Sequence, residues 1–227
     1  FINDLAASAY ALQTLPSTDY NWLSEHQPQN GHVKLMVSMG TGLGMALITP
    51  DNKVLPSEGG HSSFAPHNLH EYQLLRCLMQ RYKRISAERV LSGNGLANLY
   101  WAHTSLHQTP VDITPAEIMA RANQGESVAL AVIRDFFSIL SSFIGDMALI
   151  SLAEGGIYLT GGVLDKIWPF YDAESFMARL SNKGRFADFC ARIPIAKITA
   201  EHIGLLGCAS ALQLMATDRN IRKISNL

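Results

Sequence analysis

The sequence lacks the excess of positive charge that nucleic-acid-binding proteins carry. It contains 18 Lys and Arg against 19 Asp and Glu, which gives a formal net charge of −1. A chain without a basic patch or stripe has little electrostatic attraction for a phosphate backbone. The sequence also contains no run of like charges and no acidic tail. We therefore expect no nucleic-acid partner.

Cysteine is scarce and is not arranged in motifs. Cys77, Cys190 and Cys208 are far apart and none belongs to a C-x-x-C pair, so they support neither a disulfide framework nor a cysteine-built metal site. We interpret all three as small, buried hydrophobic residues. Three free thiols favour a reducing compartment, and hence the cytoplasm. From the sequence we predict no metal-ligating residue.

Uninterrupted apolar runs of membrane-spanning length are also missing. A spanning helix needs about 18 or more apolar residues, but the longest apolar segment, residues 128–152, contains Arg134, Asp135 and Asp146. It predicts a long, central, buried helix instead. No positively charged segment precedes an apolar one at the N-terminus, so we expect neither a signal peptide nor a membrane partner.

The residues that are present predict a globular α/β fold. Hydrophobic residues make up 48% of the 227 residues and charged residues 16%, enough apolar material for one large domain or two small ones. The runs "VKLMVSMG", "GMALIT" and "KVLPSE" are separated by short turns and predict antiparallel strands. The later runs "IYLT" and "IPIAKIT" are separated by helical segments. The pattern predicts a mixed sheet with flanking helices.

Three local predictions can be checked directly. In "NLHEYQLLRCLMQRYK", the spacing of Tyr72, Leu75, Leu78 and Met79 predicts an amphipathic helix with these residues on its apolar face. The polar stretch "PSTDYNWLSEHQPQNGH" predicts a surface connection. The stretch "SAERVLSGNGLANLY" predicts a short helix, a Ser-Gly-Asn-Gly break and a second helix.

Two glycine-rich turns are candidate nucleotide-binding elements. In "MGTGLG", three glycines and Thr41 lie between two apolar strands, so backbone N–H groups can approach a phosphate closely. In "YLTGGV", a strand ends in Gly161 and Gly162, against which a base or sugar could lie. Taken singly, each is explained equally well as a tight turn. Neither is a Walker A loop or a dinucleotide fingerprint.

Four segments supply candidate polar groups for a hydroxyl-rich ligand. Glu58 and His61 flank two glycines in "EGGH", Glu88 lies on a mostly apolar segment, and Asn3 with Asp4 precedes a helical stretch. Carboxylates accept hydrogen bonds, and a neutral imidazole both donates and accepts them. The alternatives are a polar surface turn for the first pair, a solvated side chain for Glu88, and a helix N-cap for Asn3 or Asp4.

Taken together and in order, eight stretches resemble the bacterial glucokinase family of sugar kinases. They span nearly the whole chain and are "INDLAASAY", "GTGLGMALI", "VLPSEGGHSSFAP", "SAERVLSGNGLANLY", "YLTGGV", "KGRF", "RIPIAKIT" and "GLLGCASAL". The resemblance implies the actin-like ATPase fold, which is ribonuclease-H-like. It also implies an ATP-dependent enzyme that phosphorylates glucose, or a related hexose, at the 6-hydroxyl in the first step of glycolysis, with Mg²⁺ as cofactor. The family further suggests a homodimer.

The resemblance also implies individual roles. Asp4 matches the catalytic base, and Asn3, Glu58, His61 and Glu88 match the ligands of the sugar hydroxyls. The cofactor-binding residues match a second phosphate loop and an adenosine-side turn, and they are Gly40, Thr41, Gly42, Gly44, Gly161 and Gly162.

The chain departs from the family pattern in four respects. Met39 and Asn94 stand where the family usually has proline, "EHIGLLG" stands where "NPGLLG" is common, and an Asp-x-Gly-Gly-Thr phosphate loop is missing. We expect that loop on a smaller lobe upstream, because the family begins with such a lobe and Asp4 would lie just past it, near the hinge. Residues 1–14 would then form a hinge segment, 15–202 the larger lobe, and 203–227 a helix that packs on the smaller lobe. The isolated chain should accordingly be inactive.

Two alternatives to the kinase follow from these departures and from the family itself. One is a degenerate relative that binds or senses sugar without transferring phosphate. The other is the repressor–kinase group, whose cysteine-rich zinc motif the three cysteines do not supply.

Overall fold

The computed structural model describes residues 3–224, and the side chains of residues 3–214. Six strands lie in this range: β1 (Tyr20–Trp22), β2 (Lys34–Met39), β3 (Leu43–Ile48), β4 (Val54–Ser57), β5 (Ile157–Thr160) and β6 (Ile195–Ile198). The helices in this range are α1 (Asp4–Ala11), α2 (Leu69–Leu78), α3 (Gly93–Leu106), α4 (Pro115–Asn123), α5 (Ser127–Ser151), α6 (Gly162–Ile167), α7 (Ala173–Ser181), α8 (Ala187–Ala191) and α9 (Ile203–Ile224).

The strands form one mixed sheet in the order β1-β6-β5-β2-β3-β4. β2, β3 and β4 are antiparallel neighbours, as the short turns between them predict. β5 runs parallel to both β2 and β6, because helices on the sheet face connect these strands. The predicted mixed sheet with flanking helices is confirmed.

Helices cover both faces of the sheet, and each face has its own apolar core. Along β2, Leu35 and Val37 point into the larger core, which includes residues from α2 through α8, whereas Met36 points into the smaller core beneath α1 and α9. This alternation follows from the two-residue period of a strand. All three side chains are fully buried, so the sheet is packed on both faces and supports the loops that leave its edges.

Helix α5 is the central helix of the larger core, as the sequence predicts. Val132, Phe136, Leu140 and Ile144 lie on its buried face with no exposed surface. By length and composition α5 could also cross a membrane, but 61% of its apolar 18-residue stretch is buried inside the protein. A buried core helix of a globular domain has this same composition.

A buried ion pair joins two helices of the larger layer. Arg179 of α7 donates to Glu71 of α2 over 2.8 Å, and the two side chains are 11% and 3% exposed. The Glu71 carboxylate also accepts the backbone N–H of His67 at 2.8 Å. The charge of Glu71 is thus compensated by several donors, which a buried carboxylate requires.

The sequence missed one strand. The polar stretch after α1 is not wholly a surface connection, because Tyr20–Trp22 form β1 at the edge of the sheet, antiparallel to β6. Tyr20 and Trp22 pack against Tyr158 of β5 with ring centroids 5.6 and 6.2 Å away. Burial of these rings, which the local pattern does not reveal, makes this short segment a strand.

Two burial predictions were wrong, and one boundary shifts. Tyr72 of α2 and Met79, the C-cap of this helix, are exposed, because its core-facing side carries Leu74 and Leu78. Cys208 is exposed rather than buried. The Ser-Gly-Asn-Gly segment is not a break, since Ser92 caps α3 and the two glycines form its first turn. The segment that precedes Asn3 lies outside the described residues.

Candidate functional site

The two glycine turns lie side by side at one edge of the sheet. β2 and β5 are parallel neighbours that end in register, with Ser38 opposite Thr160. The glycine loop follows β2 and the Gly161-Gly162 turn follows β5, so both emerge at the carboxyl ends of adjacent strands. Ligands of open α/β sheets bind at this kind of crevice.

The turn after β5 needs glycine at its first position. Gly161 has φ +117°, and a Cβ added there would lie 2.2 Å from the carbonyl oxygen of Met39. A side chain is excluded both by this conformation and by the contact with β2. Gly162 then begins α6 with open space around it. The bare backbone predicted from "TGG" is therefore present next to the loop.

The glycine loop is held from two sides by hydrogen bonds. Within the loop, the N–H of Gly40 donates to the carbonyl of Gly42 over 2.9 Å. From α3, the N–H of Gly93 donates to the carbonyl of Gly40, also over 2.9 Å. These contacts keep the loop compact against the start of a helix, an arrangement in which backbone N–H groups favour an anion.

Glu88 anchors the far end of the same loop. Its Oε2 accepts the backbone N–H of Leu43 at 3.1 Å, and a Cβ on Gly42 would lie only 2.6 Å from that oxygen. The side chain is 31% exposed, so it is not the fully solvated glutamate of the alternative interpretation. The Glu88 carboxylate is therefore fixed against the glycine loop by this hydrogen bond.

Glu58 and His61 lie next to Glu88. The imidazole of His61 has Nε2 3.8 Å from Glu58 Oε2 and Nδ1 4.0 Å from Glu88 Oε1. The side chains of Glu58 and His61 are 81% and 57% exposed. The backbone carbonyl of His61 accepts a hydrogen bond from Arg84, which holds the turn in place. The imidazole is therefore between two carboxylates with room for a ligand among the three groups.

Asn3 and Asp4 begin α1 at the same site. Asn3 is the N-cap, and its Oδ1 accepts the N–H groups of Leu5 and Ala6 at 2.9 and 3.0 Å. Asp4 is the first helical residue, and its Oδ1 accepts the Leu5 N–H at 2.8 Å. Its Oδ2 has no hydrogen-bond partner within residues 3–214. The capping interpretation is right for Asn3, and Asp4 keeps one carboxylate oxygen for a ligand.

One cavity of about 370 Å³ collects these groups. All five predicted polar residues line it, together with the glycine loop. The site residues predicted from the sequence that line this cavity are Asn3, Asp4, Gly40, Thr41, Gly42, Gly44, Glu58, His61 and Glu88. They come from four segments separated by long stretches of sequence. A volume of this size is in the range of small-molecule sites, roughly 300–1,000 Å³.

A second cavity, of about 320 Å³, adjoins the first at the loop. It shares Gly40 and Thr41 with the first cavity and is also lined by Gly162, Met119 and Lys166. It is mostly apolar, as a site for a flat ring system would be. Gly40 and Thr41 of the loop therefore lie where a polar cavity meets an apolar one. Of the predicted cofactor-binding residues, Gly161 lines neither cavity but shapes the turn.

The polar cavity is electrostatically negative. Three carboxylates, those of Asp4, Glu58 and Glu88, line it, and among its described lining residues there is no lysine or arginine. Hydroxyl donors suit such a cavity, whereas a phosphate chain at the loop needs additional positive charge. The same cavity also presents oxygen atoms of Asp4, Ser38 and Thr41. Hard divalent cations such as Mg²⁺ prefer oxygen ligands.

The sequence missed some lining residues. Ser38 and Gly204 line the polar cavity, and Lys166 lines the apolar one. Ser38 precedes the glycine loop directly, which was an available signal, but Gly204 at the start of α9 reaches the cavity only through tertiary packing. Of the two residues that replace a proline of the family pattern, Met39 is fully buried in the core, and Asn94 lines neither cavity.

Comparison with known proteins gives a consistent result. A family model described as Glucokinase matches residues 1–215. The glucokinase of Chromohalobacter salexigens is 39% identical over 215 residues, which cover 93% of this chain and 67% of that protein. The chain thus spans about two thirds of this relative's length.

Solved structures show the same similarity. A glucokinase from an Antarctic psychrotroph matches with a TM-score of 0.87 and 33% identity, over 93% of this chain and 67% of that one. The glucokinase of Balamuthia mandrillaris in complex with glucose matches with a TM-score of 0.79 over 93% of this chain and 64% of that one. At 21% identity the latter shows the fold alone. The predicted actin-like ATPase fold is confirmed.

Proposed function

Because the chain belongs to the glucokinase family, we propose that it phosphorylates glucose at the 6-hydroxyl with ATP as the phosphoryl donor. One observation carries this proposal within the structure. Five polar side chains from distant segments line one cavity beside the glycine loop. Phosphoryl transfer requires an oriented hydroxyl next to a bound phosphate chain and little covalent work by the protein. A polar cavity that adjoins a phosphate-binding loop provides that arrangement.

Asp4 is the proposed general base. One of its oxygens is fixed by the Leu5 N–H at 2.8 Å, which sets the orientation of the carboxylate. The other oxygen is then available to accept the proton of the sugar hydroxyl as its oxygen attacks the phosphorus atom. A base of this kind contributes roughly 10²–10⁴-fold to rate. Asn3, fixed as the N-cap beside it, is a proposed ligand of a neighbouring hydroxyl.

The remaining hydroxyls are assigned to Glu58, His61 and Glu88. The two carboxylates accept hydrogen bonds from hydroxyls, and the imidazole between them both donates and accepts. A hydroxyl that bridges His61 and a glutamate would fit the spacings of 3.8 and 4.0 Å between these side chains. A site built to hydrogen-bond each hydroxyl rejects analogues that lack one, because its own polar groups are then left unpaired.

The nucleotide is assigned to the loop and the apolar cavity. The N–H groups of Thr41 and Gly42, for which no acceptor lies within residues 3–214, would hold phosphate oxygens, and the Gly161-Gly162 turn would lie against the adenosine. Mg²⁺, when bound, would neutralise phosphate charge that the negative cavity does not, and the hydroxyl oxygens of Ser38 and Thr41 are the oxygen donors of the cavity that would face it. The fit of these hard donors supports the metal as cofactor.

We also propose the lobe arrangement expected from the resemblance. Residues 1–14 would form the hinge, 15–202 the larger lobe, and 203–227 a helix that packs on a smaller lobe. Four leucines of α9 with exposed fractions of 42–71% support this, and they are Leu205, Leu206, Leu212 and Leu214. Sequencing the gene upstream of this chain tests the lobe arrangement: absence of an Asp-x-Gly-Gly-Thr motif would contradict it.

We further propose that the protein acts in the cytoplasm as a homodimer and catalyses the first step of glycolysis.

The test of the catalytic proposal is a coupled glucose 6-phosphate assay on the full-length protein with Mg-ATP. We expect turnover of glucose, and a loss of about 10²-fold or more in kcat for Asp4→Asn with glucose binding retained. Asp51→Asn is the matched control, because Asp51 pairs with Lys53 in an exposed turn. Tight glucose binding without turnover in the wild-type protein would instead indicate a sugar sensor.

A further inference from the structure

Two histidines and an aspartate from three different helices meet in the larger helical layer. His70 lies in the first turn of α2, His103 in the last turn of α3, and Asp135 in the first half of α5. The Nε2 atoms of His70 and His103 are 2.7 and 2.6 Å from the same oxygen, Oδ2 of Asp135. The two imidazole rings face each other edge to face, with centroids 5.2 Å apart. None of the three residues lines the polar cavity of the proposed active site.

The cluster is buried on one side and reachable on the other. The side chains of His103 and Asp135 are 10% and 20% exposed, whereas that of His70 is 43% exposed. Asp135 also lines an open cavity on the surface of α5, next to Arg134. A small ion could therefore reach the three groups from solvent while two of them remain held by the core.

The donor set is that of a transition-metal site. One ligand atom from each of the three residues can be chosen so that all three lie within 4.8 Å of one another. Tetrahedral Zn²⁺ with bonds of about 2.0–2.1 Å needs ligand atoms about 3.3 Å apart. The nitrogen–oxygen pairs at 2.6 and 2.7 Å would have to open by about 0.6 Å to meet that geometry. Rotation of the half-exposed His70 side chain can supply part of this change.

The chemistry also selects among metals. Two imidazole nitrogens with one carboxylate suit zinc and the neighbouring borderline transition metals, whereas Mg²⁺ and Ca²⁺ favour sites made of oxygen. Three protein ligands leave the fourth tetrahedral position to water or another external group. Ligands on three helices would also make the ion a cross-link within the helical layer.

We propose that His70, His103 and Asp135 form a Zn²⁺ site that joins α2, α3 and α5. The site is independent of the proposed kinase reaction, because it shares no residue with the catalytic cavity. Its expected effect is on stability, since a metal that binds the folded chain and not the unfolded one raises the unfolding temperature, by an amount that grows with the logarithm of the metal concentration relative to Kd.

The experiment uses the full-length protein, stripped of metal by a chelator and then dialysed. Zn²⁺ is titrated by calorimetry, Co²⁺ is added as a coloured probe of coordination geometry, and thermal unfolding is followed with and without Zn²⁺. We expect one equivalent bound per chain, a tetrahedral Co²⁺ spectrum and a rise in Tm. His70→Asn and Asp135→Asn should each weaken Zn²⁺ binding by at least about tenfold and remove most of the rise in Tm. His70 is the most exposed of the three ligands, so its substitution spares the core.

Two control variants separate this site from other histidines. His32→Asn removes a histidine that pairs with a single carboxylate, Glu154, over 3.1 Å. His61→Asn removes the imidazole of the proposed active site. Zinc binding and the stabilisation should persist in both. The absence of saturable Zn²⁺ binding in the stripped protein would overturn the proposal, as would binding that survives in His70→Asn and Asp135→Asn.

Discussion

Replacing Glu88 by glutamine should weaken both glucose and nucleotide binding. Glu88 is unusual among the proposed sugar ligands because it also holds the phosphate loop, by accepting the N–H of Leu43 at 3.1 Å. Glutamine keeps the shape and one acceptor oxygen but loses the charge. Glu58→Gln is the matched comparison, because Glu58 carries the same substitution in the same cavity without a hydrogen bond to the loop among the described residues.

The magnitude follows from the hydrogen bonds concerned. A hydrogen bond to a charged group contributes about 1.5–3 kcal/mol and a neutral one about 0.5–1.5 kcal/mol. The bond to Leu43 is long, and the side chain is 31% exposed, so the lower part of this range applies. The loss is then about 1 kcal/mol for each ligand, or about fivefold in affinity. For Glu58→Gln, we expect a similar loss for glucose and little change for ATP.

The assay is calorimetric titration of the full-length protein with glucose, together with steady-state KM values for glucose and Mg-ATP. Glu88→Gln should raise both KM values, and Glu58→Gln should raise that for glucose alone. An unchanged KM for ATP in Glu88→Gln would refute the reasoning that this carboxylate anchors the loop. Equal losses for both ligands in Glu58→Gln would count against Glu58 as a sugar ligand.

Two further predictions concern the turn after β5 and the aromatic cluster at the sheet edge. Gly161→Ala should destabilise the fold by about 1–3 kcal/mol and weaken ATP binding, because alanine does not tolerate φ +117°. Gly162→Ala is the control: a Cβ there has open space, so the free energy of unfolding measured in urea should change little. Equal losses of stability in the two variants would contradict this account. Burial, and then the charge of Asp19, raises the pKa of Tyr20 to about 12. Burial also raises the pKa of Tyr158 above the ordinary value of tyrosine. Unfolded tyrosine ionises near pH 10, so folding stability that is fully present below about pH 10 should fall as pH rises towards about 12. Urea midpoints measured across this range, with tyrosinate absorbance followed in parallel, check this, and a flat profile would be the contrary result.

Much of the fold was predictable because its signals are local. The turns between β2, β3 and β4 are encoded by short runs of glycine, proline and asparagine, and a hairpin needs only neighbouring residues to form. Helix α4 has a complete capping box between Thr114 and Glu117. The length of α5 and its apolar composition predicted a central helix. In each case the residues that decide the element lie within the element.

Predictions failed where a distant partner decides the outcome. β1 is three residues long, and its partner β6 lies some 175 positions away in sequence, so no local pattern marks it. In α2, Tyr72 and Leu74 are both apolar, and only the position of the core makes the first exposed and the second buried. Periodicity gives the shape of an apolar face but leaves its direction to the neighbouring elements.

The sequence by itself determined the glycine turns, the helix caps and the candidate polar residues of the proposed active site, because backbone freedom and hydrogen-bonding capacity are properties of single residues. The tertiary structure decided which of these groups meet. Parallel pairing of β2 with β5 brings the two glycine turns together, and folding of the chain places the Glu88 carboxylate against the loop. The same packing brings together His70, His103 and Asp135, which no spacing motif connects, because three helices must dock before their side chains can share one site.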